Sequence, residues 1–413
     1  MLCYNIVIKK GVTDMQYFTF LGMSKNYDEI IYHFEDDSNE NISVSRYVQV
    51  AILDKYKNDI DKIYVFCTQT SYEQGGKEFE NGIDKYHKEL TFIRIEDHVK
   101  IETLIKEMDK VIEDDFIIDV THCFRNIPIS VTMISNYLEI SKNKQLKHLF
   151  YGSYEKGSGD GTIIDLIKQY QDSKITLALS SFDQFLQVSS SHLTDYEDKK
   201  INMLLDSFSK FNHMLDYCEF DSCIHAIDQI YQFSQSLLKE SDNYILLTPY
   251  LRSIQSKLKD IYTETNNVTK KVKFIKLLLK HNLLQTAITF TDQLIREELV
   301  HSCYFPNNQV YKEDLLKQLS CKTDLYNLSQ DLLFYLNIRK QSDNYKQKDS
   351  IAKIRSNDYK LEKDMTKLKQ SKIDEFYLEI RNKVNHGSKI NKKIDTKAII
   401  EECIDCIDTF VKG

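Results

Sequence analysis

The sequence predicts two domains of different class: an α/β domain built on a parallel sheet, then an all-α domain. Three observations carry this. Nine of the eleven glycines lie at or before Gly161, and none occurs from Thr162 to His386. Only Pro249 and Pro306 punctuate that second stretch, so turns are scarce and helices are favoured. Before it, short apolar runs alternate with helical patterns, the signature of βαβ units and a parallel sheet.

The runs come in the order YFTFLG (17–22), SVSRYVQVAILDKY (43–56), KIYVFCT (62–68), LTFIRI (90–95), FIIDV (116–120) with its following helix, and LKHLFYG (146–152). TIIDLIKQYQ (162–171) reads as the last strand or as a strand entering the connecting segment. The boundary therefore falls at residues 174/175, giving domains 1–174 and 175–413. Beyond it the pattern is amphipathic helix, clearest in FIKLLLKHNLLQTAITFTDQLIREELV (274–300). There Leu283/Leu284, Ala287/Ile288, Thr291, Leu294/Ile295 and Leu299 recur at a 3.6-residue period.

The 413 residues are 42% hydrophobic and 28% charged, ordinary for a globular chain with ample core. No apolar run approaches the roughly 18 residues of a membrane span, and MLCYNIVIKKGVTD is too short and too polar at its flanks for a signal peptide. Nine cysteines without a disulfide-like framework point to a reducing cytoplasm. The CxxC pair Cys403 and Cys406 shares a helical period with Ile400, Ile407 and Phe410, so these thiols read as core, and no second pair completes a zinc site. A net charge of −7 excludes a generic nucleic-acid binder. One local exception stands out: residues 339–372 hold eleven Lys/Arg against five Asp/Glu, a net of +6.

Two stretches carry candidate chemistry. DVTHCFRNIP (119–128) places a Thr, a His, a Cys and an Arg between a strand and a helix. KIDEFYLEIRNKVNHG (372–387) has an apolar helical stripe of Ile373, Phe376, Tyr377, Ile380 and Val384. Arg381 borders the stripe, and Asn382, Asn385 and His386 lie on the polar side. Gly387 suits a left-handed cap, so His386 falls in the last turn, where the helix dipole favours imidazolium. Arg and His suit metal-free RNA cleavage: His moves the proton of the attacking 2′-OH, and a guanidinium holds the phosphoryl oxygens as charge builds. Residues five apart on one α-helix diverge by about 140°, so two copies facing each other would close such a site better than one. Arg296–His301 repeats the spacing as REELVH, but two glutamates there would repel phosphate, and that copy reads as structural.

RNKVNHG at the end of a helical domain resembles the R-x4-6-H signature of HEPN ribonucleases. DVTHCFRNIP resembles the D-x-T-H-G-[FL]-R-x-[LI]-P signature of CRISPR-associated Rossmann-fold (CARF) sensor domains. YFTFLGMSKNYDEIIY (17–32), YVFCTQTSYEQ (64–74) and LFYGSYE (149–155) are similar to further strands of that family. In this order the chain looks like a CARF–HEPN ancillary ribonuclease of type III CRISPR systems, from near Met15 onward. Departures are Cys123, where the family has Gly, and Met23–Ser24, where Thr-Gly is commoner.

The resemblance implies a Rossmann-like parallel-sheet sensor followed by an all-α HEPN domain. It implies a homodimer that binds a cyclic oligoadenylate, tetra-adenylate favoured over hexa-adenylate, as allosteric activator. The activated dimer would cut single-stranded RNA in antiviral defence, leaving a 2′,3′-cyclic phosphate, with no metal, no membrane partner and no stable DNA binding. Arg381 and His386 would be catalytic, with Asn382 and Asn385 orienting them. Gly22, Ser24, Thr68, Thr70, Thr121, His122 and Arg125 would line the messenger pocket. Two readings stand open at this turn: His122 or Thr121 assists slow cleavage of the messenger, or both only bind it. Two other functions compete with the activated nuclease: a non-enzymatic sensor or regulator, and a constitutive toxin-like HEPN nuclease.

Overall fold

The computed structural model describes residues 15–23, 28–35, 43–123, 127–155, 157, 159–193, 196, 198–306, 359–361, 370–385 and 394–412. The chain divides into two compact units, Met1–Lys174 and Ile175–Gly413. Ser24, Arg125, His386, Gly387 and most of the basic run lie outside the described residues.

The first unit is an eight-stranded sheet. Its strands are β1 (Met15–Phe20), β2 (Ile30–Phe34), β3 (Ser43–Ser45), β4 (Ile60–Cys67), β5 (Glu89–Arg94), β6 (Asp115–Asp119), β7 (Leu146–Tyr154) and β8 (Asp160–Asp165), in the order β3-β2-β8-β7-β6-β1-β4-β5. Strands β7-β6-β1-β4-β5 form a parallel core. All six residues of β1 are buried, as expected of a strand covered on both faces. Tyr17, Ile63, Val65, Ile117 and Phe150 pack on one face, with α1 (Val48–Tyr56) and α3 (Lys77–Ile83). Phe18, Phe20, Phe66, Phe116 and Ile118 pack on the other, with α4 (Ile101–Val111) and α5 (Ile127–Lys142).

The sheet is mixed, which corrects the expectation of a parallel one. Strand β8 returns antiparallel to β7, β2 runs parallel to β8, and β3 runs antiparallel to β2. The cause is local. Only a short turn joins β7 to β8, and a parallel return needs a crossover of a dozen or more residues. Gly157 and Gly159 take φ of 92° and 76° in that turn, left-handed values that glycine adopts freely.

The second unit is helical around one core. Helix α6 (Ile167–Phe185) enters it, followed by α7 (Lys199–Asp216), α8 (Phe220–Leu238), α9 (Thr248–Tyr262), α10 (Asn267–Lys280) and α11 (Leu284–Cys303). Then come α12 (Gln370–Glu375), a π-helical turn (Phe376–Arg381), α13 (Asn382–Asn385) and α14 (Thr396–Lys412). Two expectations are corrected. Residues 274–300 are not one helix, because Asn282 takes a left-handed φ of 63° between α10 and α11, and asparagine tolerates that conformation at helix ends. The unit is also not wholly helical, since β9 (Tyr304–Pro306) pairs antiparallel with β10 (Tyr359–Leu361). Ile373, Phe376, Tyr377 and Ile380 are fully buried, and Val384 packs partly buried against the same core. Cys403 is buried with Ile400, Ile407 and Phe410, and burial holds its thiol well above the ordinary range.

Candidate functional sites

In the first unit the chain leaves β1 for β2 and β3 at the far edge, returns to β4 and β5 on the other side of β1, then crosses back to β6 and β7. The strand order thus reverses at β1/β6, and open α/β sheets bind ligands at the carboxyl ends of the strands beside such a switch point. A cleft of about 190 Å³ lies there. It is lined by Phe20 at the end of β1 and Leu21, Gly22 and Met23 beyond it, by Phe66, Cys67 and Thr68 at the end of β4, by Ile95 after β5, and by His122 and Cys123 after β6. Phe20 and Phe66 stack at 5.3 Å between ring centroids and form an apolar wall.

Asp119 organises the turn from beneath. It is fully buried. Its Oδ2 accepts from Thr19 Oγ1 at 2.8 Å and from Tyr17 Oη at 3.5 Å; its Oδ1 accepts from the Thr121 amide at 3.0 Å and from Thr121 Oγ1 at 2.5 Å. The Thr121 hydroxyl in turn accepts from the Gly152 amide at 2.7 Å. A Cβ at residue 152 would stand 2.8 Å from Val48 Cγ2 and 3.1 Å from Thr121 Cγ2, so this close approach requires glycine. Burial pushes the Asp119 carboxyl above its ordinary value, against the Thr121 hydrogen bonds that lower it. Burial also holds the His122 imidazole below its ordinary value, while the Asp119 charge pulls it up. The Cys123 thiol donates to the Val120 carbonyl at 2.9 Å and is pushed up to about 12, chiefly by burial. Such a thiol packs rather than attacks.

The sequence-derived pocket set is thus divided. Gly22, Thr68 and His122 meet at the cleft. The Thr68 hydroxyl is committed to capping α2 (Gln69–Ser71), accepting from the Ser71 amide at 3.1 Å. Thr70 is exposed and is not a lining residue, and Thr121 spends its hydroxyl within the fold. One cation escaped the sequence reading. Arg94, at the end of β5, stacks 3.3 Å over the Tyr72 ring and donates from Nη1 to Cys67 Sγ at 3.0 Å. An arginine closing a strand in LTFIRI was its available signal.

In the second unit, the π-helical turn ends at Arg381, and the Asn382 amide reaches back five residues to the Tyr377 carbonyl. Such turns recur at functional sites. Arg381 Nη2 lies 3.4 Å from Asp292 Oδ2, and Nη1 donates to Asn382 Oδ1 at 3.3 Å. Among the described residues, the buried Nε has no hydrogen-bond partner. Two of its three guanidinium nitrogens are thus engaged among the described residues. Asn385 closes α13.

Arg296 is 5% exposed and binds Asp292 Oδ1 through Nε at 3.0 Å, a buried and structural setting. The fold nevertheless brings Arg296 and Arg381 to one carboxylate, since Asp292 faces both.

No protein-family model matches the chain, and no curated protein matches it. Among the described residues, no group of three His, Cys, Asp or Glu side chains has metal-holding geometry, and no helix is long and apolar enough to cross a membrane.

Proposed function

We propose that the chain is a cyclic-oligoadenylate-activated, metal-independent endoribonuclease of the CARF–HEPN type, acting in the cytoplasm on single-stranded RNA in type III CRISPR defence. The observation that carries the reading is the meeting of Gly22, Thr68 and His122 on one cleft at the switch point. A strand-end turn with amides, a neutral imidazole and a neighbouring arginine suits a phosphate ring, and the Phe20–Phe66 wall suits an adenine face. Arg381, held by a single long contact to Asp292, suits the phosphoryl oxygens of RNA. Arg125 and Ser24 would complete the messenger pocket. His386 would move the proton of the attacking 2′-OH, with Asn382 and Asn385 orienting the pair.

The homodimer in this reading is supported by α5. Its outward side presents Ile129 (79% exposed), Met133 (64%), Tyr137 (43%) and Ile140 (60%). Pro128, Thr132, Asn136 and Ser141 complete that side, so it carries no charge. Glu139 turns inward to Tyr170 Oη at 2.6 Å and Lys174 Nζ at 2.8 Å. A two-fold axis on the exposed side, midway between Met133 and Tyr137, would pair Ile129 with Ile140 and Met133 with Tyr137 across an isologous interface.

The test is cleavage of a fluorescent single-stranded RNA in EDTA, with and without cyclic tetra- and hexa-adenylate. Stimulation by one ring and loss of cleavage in Arg381→Ala are expected. No stimulation by any ring overturns the reading. Equal rates with and without a ring indicate the constitutive nuclease, and ring binding without cleavage indicates the non-enzymatic sensor.

A further inference from the structure

We propose that Asp292 is the positioning residue for Arg381, with Tyr377 and Arg296 as its anchors. The inference rests on the ribonuclease reading above. The two carboxylate oxygens have different tasks. Oδ1 accepts from Tyr377 Oη at 2.7 Å and from Arg296 Nε at 3.0 Å. Oδ2 faces Arg381 Nη2 at 3.4 Å. Both anchors are buried, Tyr377 completely, and the Arg296 guanidinium lies 5.8 Å over the Tyr377 ring. The carboxylate is therefore fixed by groups that cannot turn to solvent, and Arg381 takes its direction from a fixed point.

The same geometry leaves Arg381 available. A plain structural pair would be bidentate and short. This contact is single and long, and among the described residues the second guanidinium nitrogen is engaged by Asn382 at 3.3 Å. One carboxylate thus meets two guanidiniums, through a different oxygen for each. A residue that must meet a phosphoryl oxygen as its charge builds needs both properties: a set direction and a guanidinium not locked in a bidentate pair.

Asp292→Asn separates these properties. The amide offers one oxygen, which Tyr377 and Arg296 retain, so its NH2 opposes Arg381, donor against donor. The variant also removes one negative charge beside the site. With the activating ring present, KM for RNA is expected to fall about threefold as attraction for phosphate rises. The rate constant kcat is expected to fall about tenfold or more as the guanidinium loses its direction. A merely structural loss lowers the active fraction and leaves KM unchanged, so opposite movement of KM and kcat is the signature. Unchanged KM, with a kcat loss equal to the loss of folded protein by circular dichroism, overturns the positioning role and leaves the ribonuclease reading standing. A wild-type protein that cuts no RNA with any ring overturns both. If Asp292→Asn does not fold, Tyr377→Phe decides: it keeps the ring and removes one anchor, and kcat is expected to fall about threefold at unchanged folded fraction. Wild-type kinetics in Tyr377→Phe would overturn the proposal.

Discussion

Replacing Asp119 with alanine is expected to destabilise the first unit by about 4 kcal/mol. Three good hydrogen bonds end on this carboxylate, from Thr19 Oγ1, the Thr121 amide and Thr121 Oγ1, while the Tyr17 contact at 3.5 Å adds little. Thr19 and Tyr17 are fully buried, so their hydroxyls find no water when the acceptor is removed. Asp119→Asn should cost only about 1 kcal/mol, because the amide keeps an acceptor and the hydroxyls can turn to accept. The charge has the opposite sign of effect. Burial raises the carboxyl above its ordinary 3.8, so the folded state holds its proton longer than the unfolded state does. Stability is therefore lost as pH rises from 3.8 through that raised value, and the difference between wild type and Asp119→Asn narrows over the same window. Urea titration followed by circular dichroism and tyrosine fluorescence measures both variants. At an m-value of about 2 kcal/mol/M, the alanine variant should shift the midpoint of the first unit by roughly 2 M. An alanine variant within about 1 kcal/mol of wild type, or an asparagine variant as damaged as alanine, would refute the account of Asp119 as a geometric hub.

Met133→Glu places a charge at the centre of the uncharged α5 side and is expected to convert a dimer to a monomer in sedimentation velocity; a variant that stays dimeric removes α5 from the interface. His122 is held below its ordinary 6.5, so it is neutral at neutral pH and takes up a proton only as pH falls below that value. Cyclic tetra-adenylate should accordingly bind more tightly as pH falls below 6.5, with the slope absent in His122→Ala, and a flat wild-type profile would count against His122 meeting phosphate.

The sequence made the central strands legible for a physical reason. Strands β1, β4 and β6 are covered on both faces, so they read as continuous apolar runs between polar turns. The edge was harder. In IIYHF of β2 the burial alternates, since only one side is packed, and a five-residue alternation is a weak signal. The glycines around Gly157 mark the end of β7, but their number alone does not say that the next strand returns antiparallel. Helix α11 was misjoined to α10 because apolar periodicity runs through Asn282, and only the left-handed conformation there divides them. At the cleft, the turn sequence led to His122 and Gly22, yet it could not tell that Thr121 spends its hydroxyl on Asp119 and Gly152. Asp292 was invisible for another reason. It lies 89 residues before Arg381 in an amphipathic helix, where an aspartate beside an arginine four residues on looks like an ordinary solvated pair.

The π-helical turn at Phe376–Arg381 has a consequence for what the chain can vary. A regular helix ties its two ends together, because every residue advances the facing direction by about 100°. A turn wide enough to take one extra residue breaks that tie. Upstream, Ile373 and Phe376 answer to the core; downstream, Arg381 and Asn382 answer to Asp292 and each other. Deleting the exposed Leu378 would restore the regular winding and leave Arg381 facing nearly as before, because the i→i+5 step of the wide turn and the i→i+4 step of an α-helix each cover about one turn. The helix therefore behaves as two shafts joined by a coupling, each indexed to its own neighbour.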